Sequence, residues 1–187
     1  MADPYPPLRT PRLDLYAVLP QEYELLAVDL GDPRLWADRG FTNPLRYLVD
    51  DPGPLPHRIA RIRNRPEAAP YLLRLAVLRE SRIIIGSAGF HDLPDADGMI
   101  EIGLGVEPAY RGQGYAQELL HGMWSWVIDQ PGVTTLRYTV SPENAVSQAI
   151  IRKLQFERVG QQWDDEDGVE DIFQMTSTEY RARFGSP

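Results

Sequence analysis

The amino-acid sequence predicts a mixed α/β fold of about seven strands, most of them antiparallel, with one central parallel pair and flanking helices. Two predicted hairpins indicate the antiparallel strands of the sheet. In each, a short polar turn joins two strand-like runs. These hairpins are 71–78 with 83–90, and 156–163 with 169–175. A third observation indicates the parallel pair. A helix-like stretch separates the runs 99–106 and 134–140, as in a βαβ unit.

The first seventy residues supply the remaining elements. Residues 1–12 are rich in proline and are predicted to be an extended N-terminal segment. Residues 13–18 alternate like a first strand, and 22–28 have the pattern of a short helix. Prolines interrupt residues 40–70, where we expect one helix around 57–64.

The strand at 99–106 has two faces of different composition. One face is apolar and consists of Ile100, Ile102, Leu104 and Val106. The other face carries Glu101 beside Gly103 and Gly105. Glycine inside a strand commonly marks a bulge or the close approach of another backbone or a ligand. The carboxylate that shares this face is therefore a candidate functional group.

A glycine-containing turn, Arg111–Ala116, follows this strand and leads into an amphipathic helix predicted over 114–129. Its apolar residues recur at helical spacing, at Ala116, Leu119, Leu120, Met123, Trp124 and Val127. A helix start exposes about four unpaired backbone N–H groups, with the positive end of the helix dipole behind them. Glycines there let a ligand approach the backbone, which suits a phosphate. A later helix is predicted to begin at Ser141–Pro142, with the serine as N-cap.

Composition limits the classes of function. The 187 residues are expected to form a single domain over 1–187. The chain has no cysteine, no signal-like leader and no apolar run of the roughly 20 residues that cross a bilayer, so we expect a cytoplasmic protein without membrane contact. The net charge of −8 argues against nucleic-acid binding and is compatible with a cationic partner. Three scattered histidines show no metal-ligand spacing, so no metal site is expected.

These stretches resemble the GNAT acyltransferases, which use acetyl-CoA and whose phosphate turn reads Gln/Arg-x-x-Gly-x-Gly/Ala after a strand. Arg111-Gly112-Gln113-Gly114-Tyr115-Ala116 matches every fixed position. A second match runs from Asn144 to Phe156 and resembles a later helix of the family, with Gln155 in place of the usual glycine. Thr10-Pro11-Arg12-Leu13-Asp14-Leu15 is most similar to the RimJ/RimL-type branch.

The resemblance implies a GNAT-like acyl-CoA N-acyltransferase fold, with acetyl-CoA or another acyl-CoA as co-substrate. The turn around Gly112 would hold the pyrophosphate, with Arg111 as a nearby cation. The backbone N–H groups that would bind it belong to Gln113, Gly114, Tyr115 and Ala116.

The resemblance also implies a place for the rest of the acyl-CoA. Leu104 and Val106 would offer backbone groups to the pantetheine arm, like an added strand. Asn144 would hydrogen-bond the pantetheine amides or cap its helix. Splaying of 99–106 from 134–140 would leave a slot for the thioester.

Acyl transfer to an amine needs a base for the ammonium proton and an acid for the departing thiolate. Glu101 is the first candidate base, and its alternative role is that of a surface or ion-paired glutamate in a strand. Glu166, in an aspartate-rich turn, or water is the second. Ser147 is the candidate acid or a small packed residue, since the family's usual tyrosine position holds Ile151.

The leading hypothesis is an N-acetyltransferase in which a primary amine attacks the thioester directly. The acceptor is a protein N-terminal α-amine, or a small-molecule amine such as an amino sugar, polyamine or antibiotic. A sensor that binds acyl-CoA without turnover is the alternative of a different class. The sequence leaves open the acceptor, the acyl-chain preference and the oligomeric state, including a homodimer.

Overall fold

A computed structural model describes residues 4–165 and 168–185 of the chain. It confirms the mixed α/β fold. The strands in these ranges are β1 (Leu8–Arg9), β2 (Leu13–Ala17), β3 (Arg74–Leu78), β4 (Ile84–Phe90), β5 (Met99–Val106), β6 (Thr135–Val140), β7 (Glu157–Asp164) and β8 (Gly168–Thr176). The helices are α1 (Pro20–Val28), α2 (Leu55–Asn64), α3 (Ala69–Leu72), α4 (Tyr115–Val127), α5 (Ala145–Lys153) and α6 (Ser177–Phe184).

The chain divides into two compact units. The first consists of the residues up to Asp92 together with Leu104–Met123, and the second of Leu93–Gly103 together with the residues from Trp124 onward. The boundaries therefore fall inside β5 and inside α4. That residues 1–187 form a single domain stays a prediction.

The first unit contains an antiparallel array in the order β1-β2-β3-β4. The register of β2 with β3 runs from Leu13↔Leu78 to Ala17↔Arg74, and a bulge interrupts the pairing of β3 with β4 after Ala76. The predicted hairpin is confirmed, although residues 71–72 close α3 instead of opening β3. The end of β5 belongs to this unit, where Glu107 donates its backbone N–H to the carbonyl of Ile85 at 2.9 Å.

The second unit contains the strand order β5-β6-β8-β7. β5 and β6 are parallel, which confirms the predicted central pair, and β7 and β8 form the predicted C-terminal hairpin. The core of this unit is aromatic. The Trp124 ring stacks on Phe156 at 4.5 Å between centroids and meets Tyr180 edge-on at 5.9 Å.

The start of α5 differs from the sequence prediction. The helix predicted to begin at Ser141 begins at Ala145, with Asn144 as its N-cap, so the serine cap was wrong. The sequence reasoning also missed α6. Thr176 and Glu179 form a reciprocal capping box at the start of α6, a signal that the sequence itself contains.

The amphipathic pattern of α4 is confirmed, because Leu119, Leu120, Met123, Trp124 and Val127 are all fully buried. None of the helices in the described ranges is both long enough and apolar enough to cross a membrane.

Candidate functional site

The turn between β5 and α4 depends on two glycines. Gly112 has φ of 73° and Gly114 has φ of 84°, both in the left-handed region that L side chains rarely adopt. A Cβ on Gly112 would meet no atom within 4 Å, and both glycines are exposed. Backbone conformation, and not crowding, is therefore what requires glycine here. The space above the turn is open to a ligand.

Backbone N–H groups at this turn are available to an anion. The first hydrogen bond of α4 runs from the N–H of Glu118 to the carbonyl of Gly114, at 3.1 Å. Within the described part of the chain, the N–H groups of Gln113, Gly114, Tyr115 and Ala116 donate to no acceptor. Four unpaired donors at the positive end of a helix dipole form the arrangement that binds phosphate groups.

The side chain of Arg111 turns back toward the strand. Its Nε donates to the carbonyl of Val106 at 2.8 Å. This bond occupies one lone pair of a carbonyl that was predicted to bind the pantetheine arm, and a carbonyl oxygen has two. Val106 is 9% exposed and Leu104 is half-buried. The ligand roles of these three residues stay predictions.

A second cation, Arg12, lies at the turn. Its Nη1 donates to the carbonyl of Gln113 at 3.0 Å, and its Nε to a carboxylate oxygen of Glu118 at 2.7 Å. Its guanidinium carbon lies 4.0 Å from the centre of the Tyr115 ring, a cation–π contact. The sequence reasoning used Arg12 only as part of a family pattern. No spacing rule connects it to a turn a hundred residues later in the chain.

Glu101 lies where the pairing of β5 with β6 ends. Within the described residues the parallel register stops at Glu101↔Arg137, although both strands continue. The Glu101 side chain is half-buried, and its Oε1 accepts a hydrogen bond from the hydroxyl of Thr139 at 2.5 Å. Splaying of the two strands beyond this point stays a prediction. The role of base stays a prediction.

Ser147 and Asn144 act together at the start of α5. The side-chain oxygen of Asn144 accepts from the backbone N–H of Ser147 at 3.1 Å, so the capping role foreseen for Asn144 is present. The Ser147 hydroxyl lies beside the Tyr138 phenol. Burial raises the pKa of this phenol, and the interaction with Ser147 lowers it in part. Tyr138 is 7% exposed, and Ile151, at the family's tyrosine position, is fully buried.

The phenol at Tyr138 is a functional candidate that the sequence reasoning missed. Alternation along β6 places Tyr138 on the opposite face of the strand from Arg137 and Thr139. Glu101 is bonded to Thr139, so within the second unit the carboxylate and the Ser147–Tyr138 pair lie on opposite faces of the β5–β6 pair.

In the first unit, Tyr47 lies against the end of β5. Its hydroxyl is 2.8 Å from that of Ser87 and would be 3.0 Å from a Cβ on Gly105. Burial raises the pKa of Tyr47, partly opposed by the bond to Ser87. The glycine face of the strand is thus closely approached, as expected. The approaching groups include this tyrosine, which the sequence reasoning left unassigned.

The same unit contains a cavity of about 380 Å³ that is lined by side chains from residues 30–49. Its walls include Leu35, Trp36, Phe41, Asn43, Arg46 and Val49. Three non-glycine residues nearby have left-handed backbones, with φ of 66° at Trp36, 54° at Arg46 and 64° at Leu48. Such strain is maintained only where the surroundings over-determine the conformation.

Glu166, the second candidate base, lies outside the described residues. Within residues 4–165 and 168–185, no cluster of three or more His, Asp or Glu side chains has an arrangement that could hold a metal ion.

Comparison with known proteins agrees with the geometry. A family model described as an acetyltransferase (GNAT) domain matches residues 12–157. The chain is 30% identical over 82 residues to the uncharacterized N-acetyltransferase YjdG of Bacillus subtilis (strain 168). That match covers 44% of this chain and 49% of YjdG, so the chain spans about half the length of this curated relative.

Solved structures of low identity share the fold. A GNAT-family acetyltransferase from Bacillus anthracis aligns with a TM-score of 0.61 at 18% identity, covering 91% of this chain and 98% of that one. RimL, a ribosomal alpha-N-protein acetyltransferase solved with coenzyme A, aligns with a TM-score of 0.59 at 13% identity. The alignment covers 91% of this chain and 96% of RimL. A chimera of the spermidine N-acetyltransferase SpeG from Vibrio cholerae and hSSAT aligns with a TM-score of 0.63 at 12% identity. The alignment covers 92% of this chain and 99% of the chimera. The expected GNAT-like fold is confirmed.

Proposed function

The chain belongs to the GNAT acetyltransferase family, and on that premise we propose that it transfers the acetyl group of acetyl-CoA to a primary amine. One observation carries the proposal. The turn before α4 combines two left-handed glycines with four backbone N–H groups that precede the first helical hydrogen bond. This combination suits the pyrophosphate of a CoA thioester.

Other residues would hold the remainder of acetyl-CoA. Leu104 and Val106 are proposed to offer strand backbone to the pantetheine amides, as in strand addition. Gln113, Gly114, Tyr115 and Ala116 would donate to the pyrophosphate, with Gly112 and Arg111 completing the turn. The amide nitrogen of Asn144 would serve the cofactor while its oxygen caps α5.

Glu101 is proposed as the base. A primary ammonium has a pKa of about 8 for an α-amine and about 10.4 for a lysine-like amine, so at neutral pH it must lose a proton before it attacks. The amine nitrogen then forms a bond to the thioester carbon, and the carbon–sulfur bond breaks as the tetrahedral intermediate collapses. The Glu101 carboxylate would accept the ammonium proton directly or through water. The Thr139 hydroxyl orients this carboxylate.

Ser147 is proposed as the group that meets the departing thiolate. Its hydroxyl would donate a hydrogen bond to the sulfur, with the Tyr138 phenol beside it. Burial raises the pKa of the Tyr138 phenol, so the phenol stays protonated at neutral pH. A thiolate is a good leaving group, so this assistance is expected to be modest.

The acceptor is proposed to be an amine that carries positive charge at neutral pH, in agreement with the net charge of −8. RimL is described as an alpha-N-protein acetyltransferase and SpeG as a spermidine acetyltransferase. We therefore propose the RimJ/RimL-type branch and an N-terminal α-amine as the first acceptor to try, with polyamines second. The enzyme is proposed to act in the cytoplasm, where cytosolic proteins with free α-amines and acetyl-CoA meet.

Two measurements on the purified chain test the proposal. Isothermal titration with acetyl-CoA measures donor binding, and a thiol-release assay measures turnover over a panel of N-terminal peptides, polyamines and amino sugars. We expect saturable binding and thiol release with at least one class of amine.

The possible outcomes separate the hypotheses. Binding of acetyl-CoA without thiol release on any amine would favour the non-catalytic sensor. Lack of binding would contradict the donor site itself. Release with amino sugars or polyamines alone would keep the chemistry and move the acceptor to a small molecule.

A further inference from the structure

Arg12 makes three contacts with the turn and the helix that follows it. Its Nη1 donates to the carbonyl of Gln113 at 3.0 Å, and its Nε pairs with Glu118 at 2.7 Å. The guanidinium lies 4.0 Å from the centre of the Tyr115 ring. A Cβ on Gly114 would be 3.5 Å from Nη2. This single side chain therefore touches the central peptide of the turn and the first helical turn at once.

The contact with the Gln113 carbonyl determines the direction of a neighbouring donor. In a planar trans peptide the C=O of one residue and the N–H of the next point in opposite directions. A guanidinium that holds the Gln113 carbonyl on one side therefore holds the Gly114 N–H on the other. Glycine resists rotation less than any other residue, so the Gln113–Gly114 peptide needs an external contact to hold it.

Glu118, the carboxylate that pairs with Arg12, is itself held in place by further hydrogen bonds. Glu118 accepts hydrogen bonds from the Thr10 hydroxyl at 2.6 Å and from the backbone N–H of Arg12 at 2.7 Å. Burial raises the pKa of Glu118, but these bonds together with the Arg12 guanidinium outweigh burial and leave the pKa lowered. Glu118 is therefore charged at neutral pH. The Thr10 side chain also packs on α4, because a Cβ on Gly122 would be 2.8 Å from Thr10 Cγ2.

We propose that Arg12 is a positioning residue of the donor site, which holds the Gln113–Gly114 peptide so that the Gly114 N–H faces the pyrophosphate of the acyl-CoA. This role rests on the proposed function, because it presupposes that the turn binds a CoA thioester. Arg12 acts through the backbone of the turn, and its charge adds to the field of the helix start. It has no part in the transfer step itself.

The test is the substitution Arg12→Gln, assayed by steady-state kinetics and by titration with acetyl-CoA. We expect the KM and Kd for acetyl-CoA to rise about 10-fold, because a donor that must be reoriented binds less tightly. The kcat at saturating acetyl-CoA and the KM for the amine should stay within about twofold, since Arg12 does not touch the reacting atoms. An unchanged KM for acetyl-CoA, or a loss confined to kcat, overturns the inference.

Arg12→Lys separates positioning from charge. Lysine keeps the positive charge but has no planar fork, so it cannot hold the Gln113 carbonyl and the Glu118 carboxylate in the same geometry. We expect the KM of Arg12→Lys for acetyl-CoA to be at least about threefold higher than that of the wild type. Full rescue by lysine would mean that only the charge matters, and it would overturn the positioning role. If Arg12→Gln does not fold, Arg12→Lys carries the comparison alone.

Arg79→Gln is the matched control. The Arg79 side chain is 45% exposed against 44% for Arg12, and its Nη1 donates to the carbonyls of Thr10 and Pro11 at 3.3 and 3.2 Å. It fastens the same N-terminal segment through contacts that do not involve the turn. We expect Arg79→Gln to lower the melting temperature without changing the KM for acetyl-CoA. An equal rise in KM for both variants would show that the segment, and not Arg12, matters.

The wild-type chain distinguishes the two proposals. If it neither binds acetyl-CoA nor releases thiol, the proposed function is overturned and the role of Arg12 with it. If it does both and Arg12→Gln behaves like the wild type, only the role of Arg12 is overturned.

Discussion

Replacing Gly112 with aspartate tests the proposed phosphate-binding turn at a position that has room for a side chain. A Cβ there would meet no atom within 4 Å, so the substitution creates no steric clash in the free protein. The left-handed φ of 73° costs an L residue about 1 kcal/mol, since aspartate tolerates this region better than most. The larger effect is charge. A carboxylate about 5 Å from a phosphate charge, at an effective dielectric constant of about 20, opposes binding by about 3 kcal/mol.

Isothermal titration with acetyl-CoA measures the effect directly. A loss of about 3 kcal/mol corresponds to a Kd about 100-fold higher than that of the wild type. The repulsion is Coulombic and lies at an exposed turn, so raising the salt concentration should recover part of the affinity.

Gly132→Asp is the matched control for backbone strain. Gly132 has φ of 81°, and a Cβ there would also meet no atom within 4 Å. Both variants should therefore lose about 1 kcal/mol of unfolding free energy in urea, while only Gly112→Asp loses affinity for acetyl-CoA. Equal affinities for the two variants would refute the assignment of the turn to the pyrophosphate.

Four further substitutions test the chemistry and the packing. Glu101→Gln should lower turnover at least about 100-fold below the pKa of the amine, with the acetyl-CoA Kd unchanged; an unaltered pH–rate profile would remove this residue from the mechanism. Ser147→Ala and Tyr138→Phe should each lower kcat about 10-fold, and the double variant no further, because the two hydroxyls act as one unit; additive losses would contradict that. Gly86→Ala should lower the unfolding free energy by at least about 2 kcal/mol, measured in urea, because its Cβ would lie 2.4 Å from the carbonyl oxygen of Gly105. An unchanged denaturation midpoint would show that the two strands can move apart.

Elements with a strong local pattern were predictable from the sequence. The predicted strand 99–106 has the observed bounds, and the predicted helix 114–129 is observed as Tyr115–Val127. Side-chain alternation and three-and-four spacing are properties of consecutive residues, so they can be recognised without knowing what they pack against. The start of α5 was misplaced because Ser141 and Asn144 are both acceptable caps, and the register of the helix against its neighbours decides between them.

The candidate site also combines features that the sequence predicted with features that it did not. The sequence predicted the turn and its unpaired N–H donors, because two glycines lie between a strand and the start of an amphipathic helix. Only the tertiary structure decided which side chains surround these features. The contacts of Arg12 with the Gln113 carbonyl and of Tyr47 with Ser87 each join residues that are distant in the chain. Such pairs depend on how strands align and helices dock, which short-range periodicity does not encode.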